Sequence, residues 1–350
     1  TRYRSSAASD VYKRQFQCNI NSANQKTVNA FWSIDLQTTV SEPIVFKGIG
    51  LHTGKKSTLT LHPADADFGI CFKRTDILSG GNIVKASWLN IANSELCTRL
   101  MNSEGVSVLT VEHLMAGLAG CGINNALVEI NGPEVPILDG SAVTFVKEIL
   151  KTGIKLQKSS LKAVRILKTV KYKKDTAWAK FEPSDYPRMS FSIEFSEEVI
   201  GAQSKTLDMS NGSFVRELCD SRTFCRHSEV EAMRSKGLAL GGSYDNAVVV
   251  DGKDVLSPGG LRHSDEPVRH KMLDALGDIA LAGYPILGHY IGHRAGHGIT
   301  HGLLKSLFSD SENFEIISCD QDIVDTLPGS GVQLSDCLLY TSDAADDLYR

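Results

Sequence analysis

EPVRHKMLDALGDIALAG, residues 266–283, places Val268, Met272, Ala275, Leu276 and Ile279 at the three- and four-residue spacing of one apolar helix face. Ser264 and Pro267 suit its start and Gly283 its end, so a helix is expected over 266–282. The same segment carries His270, Asp274 and Asp278 at four-residue intervals. Four residues advance a helix about 40° past one turn, so the three side chains share a polar stripe. Imidazole and carboxylate at i and i+4 are suitable zinc ligands, but a catalytic zinc takes three protein ligands and keeps the fourth position for water. Without a third ligand from elsewhere, the stripe is a solvated helix face with an incidental histidine.

Ser107 to Gly122, SVLTVEHLMAGLAGCG, offers that ligand. Ser107 or Thr110 can cap a short helix that Gly120 and Gly122 stop. His113 at its start supplies a further nitrogen, and Glu112 beside it could act on the reacting water as a general base. A helix N-terminus stabilises an anionic carboxylate by roughly 0.3–1 kcal/mol. Alone, Glu112 would be an ordinary acidic residue of a first turn. EHLMAGLAG and RHKMLDALGDIALAG resemble each other weakly, which hints at two similar domains, although a shared helix-packing composition explains the likeness as well.

Around these helices the chain alternates. VFKGIGLHTGKKSTLTL, residues 45–61, has turns at Gly48, Gly50 and Gly54 and a half-buried strand pattern at Ser57–Leu61. It lacks the GxxxxGK[ST] spacing of a phosphate loop, and no helix pattern follows. Ala126–Ile130 reads as a strand, NGPEVPILDGS as a loop, and Val143–Leu150 as a helix, with a domain boundary near Ser159. Beyond it, strands are expected at Val164–Tyr172, Ala177–Phe181, Met189–Phe195 and Asn246–Val250, and helices at Ser213–Cys219 and Glu229–Lys236. His289, His293, His297 and His301 recur every fourth residue, but Gly292, Gly296, Gly298 and Gly302 stand among them. Glycine costs roughly 1 kcal/mol in a helix interior, so Tyr284–Ile291 reads as a strand entering a glycine loop. One of these histidines could be a general acid, and spacing does not say which. Thr223 could donate to an oxyanion and Phe224 could stack on a sugar, while strand packing accounts for both equally well. His52, His62, His227 and His263 read as structural or surface residues.

Composition narrows the function classes. The 350 residues suit two domains at roughly 150 residues each. Hydrophobic residues at 42% and charged residues at 22% exclude wholesale disorder. Lys plus Arg number 37 against 41 Asp plus Glu, a net charge of −4 that gathers neither nucleic acid nor anionic membrane. No apolar run approaches the roughly 18 residues of a membrane span, and the N-terminal region lacks the apolar core of a secretion signal, so the chain reads as cytoplasmic. The eight cysteines form no CxxC pair and read as free thiols. SSAASDVYKRQ, residues 5–15, and CLLYTSDAADD, residues 337–347, are related through DNA. One codon choice for the first, read on the opposite strand with a one-base shift, translates to the second. They resemble a translated transposase sequencing adapter, so 1–15 and 337–350 are expected to be disordered or incidental, and 16–36 is an ambiguous leader.

VEHLMAGLAGCGINNALVEINGPEVPILDGSA (111–142), SRTF (221–224), LGGSYDNAVVV (240–250), GLRHSDEPVRHKMLDALGDIALAG (260–283) and GH (296–297) follow in one order. From about Val45 to Ser318 the chain resembles the UDP-3-O-acyl-N-acetylglucosamine deacetylases, zinc amidases of lipid A synthesis. The resemblance implies an α+β fold of two similar domains, 37–158 and 159–330, each a two-helix layer on a β-sheet with the active site between the helix layers. It implies a βαβ insertion near 225–250 forming a passage for an acyl chain. Carried over by position, the Zn2+ ligands fall on His113, His270 and Asp274, the base on Glu112, and the general acid on His297, oriented by Asp278. The same carry-over implies that Lys271 faces substrate, that Thr223 contacts the oxyanion and that Phe224 lies near the glucosamine, while the other three ladder histidines match no family position. The implied reaction removes the N-acetyl group of UDP-3-O-(3-hydroxyacyl)-N-acetylglucosamine as acetate. The expected partners are that acylated UDP sugar and a transient membrane-surface contact, with no nucleic acid and no transmembrane segment, and the chain is expected to be a monomer. Another zinc amidohydrolase, or a catalytically silent binding protein on the same fold, are the competing classes.

Overall fold

The computed structural model describes residues 35–78 and 80–338. The adapter-like 1–15, most of the 16–36 leader, and 339–350 lie outside the described residues; the backbone of 337–338 closes a short helix, Leu334–Leu338. The described residues belong to one compact unit that begins at Asp35.

Two five-stranded sheets organise it. The first runs, neighbour to neighbour, Ile44–Ile49, Lys56–Pro63, Ala126–Ile130, Ile70–Arg74, Ile83–Lys85. The second runs Val170–Lys174, Ala177–Glu182, His289–His293, Arg188–Glu194, Ala202–Asp208. In both, successive pairings are antiparallel, antiparallel, parallel and antiparallel. In both, the central strand is the last of the five in sequence. A parallel neighbour cannot be reached by a tight hairpin, so the chain makes a long crossover before entering the middle of each sheet.

Helices lie along these crossovers and beyond them: α1 (Glu112–Gly120) and α2 (Val143–Thr152) flank the first central strand. In the second half come α3 (Ser213–Glu217), α4 (His227–Ser235), α5 (Glu266–Ile279) and α6 (His297–Phe308), the last two flanking the second central strand. The equivalent positions of α1 and α5 give structural substance to the weak likeness of their sequences. Alternation in Arg188–Glu194 buries Met189, Phe191 and Ile193, as its period of two requires. The apolar face of α5 is buried through Val268, Met272, Ala275, Leu276 and Ile279. Eight of the nine residues of α1 are buried, the mark of a core helix. Gly277 permits the close crossing of α1 and α5: a Cβ there would stand 2.0 Å from the Glu112 carbonyl oxygen.

Several expected elements differ. Val164–Tyr172 is two strands in different sheets, Lys162–Ile166 and Val170–Lys174, because the chain turns at 167–169, where the Leu167 amide donates to the Asn313 carbonyl. Neither Ser107 nor Thr110 caps α1, whose N-cap is Val111; Thr110 has φ 56° and its hydroxyl donates to buried Glu134. The glycine loop expected after the strand of the histidine ladder is helix α6 from His297 onward, with Gly298 and Gly302 inside it. At Gly302 a Cβ would come within 2.4 Å of the Tyr172 ring, so packing of helix on sheet outweighs helix propensity there. Helices α3 and α4 span 213–217 and 227–235 rather than 213–219 and 229–236, and the strand expected at 246–250 is Val248–Asp251. That strand runs parallel to Phe224–Arg226 with α4 between them, a βαβ unit. Among the described residues, no helix is long and apolar enough to cross a membrane.

Candidate active site

The N-terminus of α1, the middle of α5 and the N-terminus of α6 meet at one buried polar cluster. His113 comes from the first turn of α1, and His270 and Asp274 from adjacent turns of α5. Their imidazole Nε2 atoms lie 3.5 Å and 3.3 Å from the same oxygen, Asp274 Oδ1. The two rings stand edge to face at 87° with centroids 5.1 Å apart. One ligand atom from each of the three residues lies within 4.8 Å of the others. His270 Nδ1 is 3.0 Å from the Ser221 carbonyl, which can only accept, so the proton sits on Nδ1 and Nε2 presents a lone pair to the cluster. Burial, against the pull of Asp274, holds the His270 pKa down at about 4, leaving the ring neutral at pH 7. Burial alone would raise the Asp274 pKa, but His270 and Lys271 hold it well below the usual carboxylate range. Lys271 Nζ bonds its other oxygen, Oδ2, at 2.7 Å. Asp274 Oδ1 is buried and makes no well-formed hydrogen bond among the described residues. Two imidazoles and one anionic oxygen converging on a common point form a donor set that fits a tetrahedral Zn2+.

A second group adjoins the first. Glu112 is 3% exposed; its Oε2 accepts the Thr98 amide at 3.0 Å, and its Oε1 lies 3.5 Å from His297 Nε2. Burial raises the Glu112 pKa, with His297 and His113 pulling the other way. His297 turns its Nδ1 to Asp278 Oδ2 at 2.8 Å. Burial opposes a charge on that ring, but Asp278 and then Glu112 raise its pKa to about 9, so it is an imidazolium at neutral pH. Burial would likewise raise Asp278, which His297 and His301 hold far below the ordinary carboxylate value. The cluster thus offers a carboxylate and a protonated imidazole, facing each other beside a metal-type donor set. Lys271, Asp274, Asp278 and His297 line one small cavity with Phe191 and Thr300.

The remaining expected site residues are placed unevenly. The Phe224 ring approaches His270, centroids 6.3 Å apart, and packs edge-on against Phe195. Thr223 is pinned through its backbone, its amide donating to Gly140 and its carbonyl accepting from Val248, and no hydrogen bond among the described residues joins its hydroxyl to the cluster. His289 and His293 lie on a strand and bond Ser190 and Ser192, away from the cluster.

Residues 37–309 match the sequence pattern of the UDP-3-O-acyl N-acetylglycosamine deacetylases (LpxC). The chain belongs to this family. Among its relatives, the UDP-3-O-acyl-N-acetylglucosamine deacetylase of Pasteurella multocida (strain Pm70) is 42% identical over 286 residues, 81% of this chain and 93% of the relative. That of Vibrio parahaemolyticus serotype O3:K6 (strain RIMD 2210633) is 41% identical over 289 residues, 82% of this chain and 94% of the relative. That of Geobacter sp. (strain M21) is 46% identical over 253 residues, 72% of this chain and 82% of the relative.

Within this deacetylase fold, three residues at the cluster escaped the sequence reading. Thr98, fully buried, bonds Glu112 through its amide and Asp278 through its hydroxyl. His301 reaches Asp278 at 3.2 Å, and its four-residue spacing from His297 was the available signal once 297–308 is helical. His52 was assigned a structural or surface role; it is 5% exposed, and burial, aided by His297 and His113 against Glu134, lowers its pKa.

Proposed function

We propose that the chain hydrolyses the N-acetyl group of UDP-3-O-(3-hydroxyacyl)-N-acetylglucosamine to acetate and UDP-3-O-(3-hydroxyacyl)-glucosamine, the committed step of lipid A biosynthesis. The observation that carries this reading is the 3.5 Å approach of Glu112 and His297 beside the His113, His270 and Asp274 donor set, in a chain of this deacetylase family. His113, His270 and Asp274 would hold Zn2+, which supplies Lewis-acid polarisation of the amide and a more acidic water.

Glu112 takes the proton of the attacking water as its oxygen bonds to the amide carbon. Thr98 N–H fixes one Glu112 oxygen and leaves the other for that proton. The Thr223 hydroxyl donates to the oxyanion that develops on the former carbonyl oxygen. His297, protonated, delivers its Nε2 proton to the departing nitrogen as the C–N bond breaks, and Asp278 keeps the Nδ1 proton throughout. Lys271 faces the substrate, and Phe224 borders the glucosamine.

We read 37–158 and 159–330 as two similar domains with the substrate between their helix layers. The unit near 225–250 then forms the acyl passage, a reading supported by the exposed Leu240 and Leu256. The protein acts as a cytoplasmic monomer in transient contact with a membrane surface.

Metal analysis combined with acetate release tests this. The expected result is one zinc per chain and turnover of the acylated UDP sugar that chelation stops and zinc restores. Turnover of other acetamides in preference to it would make the protein a different zinc amidohydrolase; no turnover by zinc-loaded, folded protein would make it a silent binding protein.

A further inference from the structure

Asp278 serves more than His297. Its Oδ2 is 2.8 Å from His297 Nδ1, while its Oδ1 is 2.5 Å from Thr98 Oγ1 and 3.2 Å from His301 Nε2. His301 Nε2 also lies 3.0 Å from Thr98 Oγ1, and Thr98 Oγ1 lies 3.2 Å from His297 Nδ1. His297 and His301 are one turn apart on α6, their rings at 29° with centroids separated by 6.1 Å. The carboxylate is 1% exposed, so protein groups supply these bonds.

We propose that His301 and Thr98 are positioning residues for His297: by occupying Asp278 Oδ1 they leave only Oδ2 for His297, which keeps its Nε2 turned toward Glu112. This rests on the acid role given to His297 above.

Proton directions agree with it. An ionised carboxylate only accepts, so Thr98 spends its single hydroxyl proton on Oδ1, and the His301 Nε2–H is shared between Oδ1 at 3.2 Å and the Thr98 Oγ1 lone pair at 3.0 Å. The terminal torsion of aspartate is broad and two-fold, so an Asp278 with only one partner could exchange its oxygens and swing the His297 ring. Two donors on Oδ1 remove that freedom. Thr98 does a second thing, because its amide holds Glu112 at 3.0 Å. One residue therefore ties the base and the acid's carboxylate to the same stretch of backbone, with Glu112 supplied by α1 and Asp278 by α5. The role asks for a hydrogen-bond donor at 301 and not for a titrating ring.

Full-length His301→Ala, His301→Gln, Thr98→Val and Thr98→Ser are compared with wild type in two measurements. In zinc-loaded protein with the acylated UDP sugar, His301→Ala and Thr98→Val should lower kcat by about 10- to 100-fold, the scale of a small misplacement of a reacting group. KM should stay within about twofold, since the lost interaction is not one that binds substrate. His301→Gln and Thr98→Ser, which restore a donor, should recover most of the kcat. In chelated, 15N-histidine-labelled protein, the His297 Nδ1 proton should give an exchange-protected low-field resonance in wild type, His301→Gln and Thr98→Ser, broadened or lost in the other two. Wild-type kcat and resonance in His301→Ala would overturn the proposal. So would a folded His301→Gln as impaired as His301→Ala, or loss of melting temperature with an unchanged resonance. If wild type itself releases no acetate, the function assigned above fails, and the resonance alone still decides whether Oδ1 occupancy orients His297.

Discussion

Glu112 and His297 face each other at 3.5 Å, and the proposed mechanism needs the first ionised and the second protonated. Glu112→Ala and His297→Ala should each retain zinc and fold yet lose roughly 10²–10⁴-fold in turnover, measured by acetate release with metal content determined in parallel. Burial raises the Glu112 carboxyl, and Asp278 and Glu112 raise the His297 ring against burial, so kcat/KM should rise with pH as Glu112 ionises and fall at higher pH as His297 loses its proton. The acidic limb should vanish in Glu112→Ala and the basic limb change in His297→Ala, although the apparent values belong to the coupled set. The same ring affects stability in the chelated protein. Its folded pKa exceeds the unfolded value of about 6.5, so the stability it contributes is fully present below that value and is lost as pH rises toward about 9. Melting curves of chelated wild type should decline across that window, and those of His297→Ala should decline less. An equal slope in both would assign the decline to other groups.

At the scale of elements, the crossing of α1 and α5 sets the spacing of the whole site. Gly277→Ala places a methyl against the Glu112 backbone carbonyl, which is not a flexible side-chain end and cannot turn aside. The helices must separate, with an expected loss of about 1–3 kcal/mol in denaturant unfolding and a lower kcat, because Glu112 and His113 move away from α5. Gly298→Ala is the contrasting case. It is exposed within α6, a Cβ there meets no heavy atom within 4 Å, and the substitution should stabilise by about 0.4–1 kcal/mol. Two glycines in one helix thus differ in kind, since Gly302 lies against Tyr172 and Gly298 against solvent. A propensity scale charges both alike, which is why the stretch after Gly296 reads as a loop.

Across the molecule, the metal-type donor set joins the two repeated sheet-and-helix arrangements, His113 coming from one and His270 and Asp274 from the other. Zinc at about 1,000 times its dissociation constant should therefore stabilise the fold by about 4.1 kcal/mol, less any affinity for the unfolded chain. Calorimetry should show the melting temperature of chelated protein rising on zinc addition. His113→Ala, His270→Ala and Asp274→Ala should each abolish most of that rise. A rise of full size in all three variants would place the stabilising ion elsewhere.

Helical periodicity was enough to put His270, Asp274 and Asp278 on one stripe, because side-chain direction along a regular helix follows from spacing alone. The adjacency of Glu112 and His113 needed no fold at all, and long ordered motifs carried the family likeness. What spacing could not reveal was which faces meet. Thr98 and Asp278 are 180 residues apart, and nothing local to either marks the other as its partner. The turn between Ile166 and Val170 escaped for a related reason: both flanking stretches have strand character, and a change of sheet leaves no mark in a period of two. Likewise His301 gained its place only when Tyr172 accepted a helix surface without a Cβ, bringing α6 onto the sheet and its second histidine onto Asp278. Local sequence encodes the direction in which each side chain leaves its element; the crossovers into the centre of each sheet bring those directions to one point.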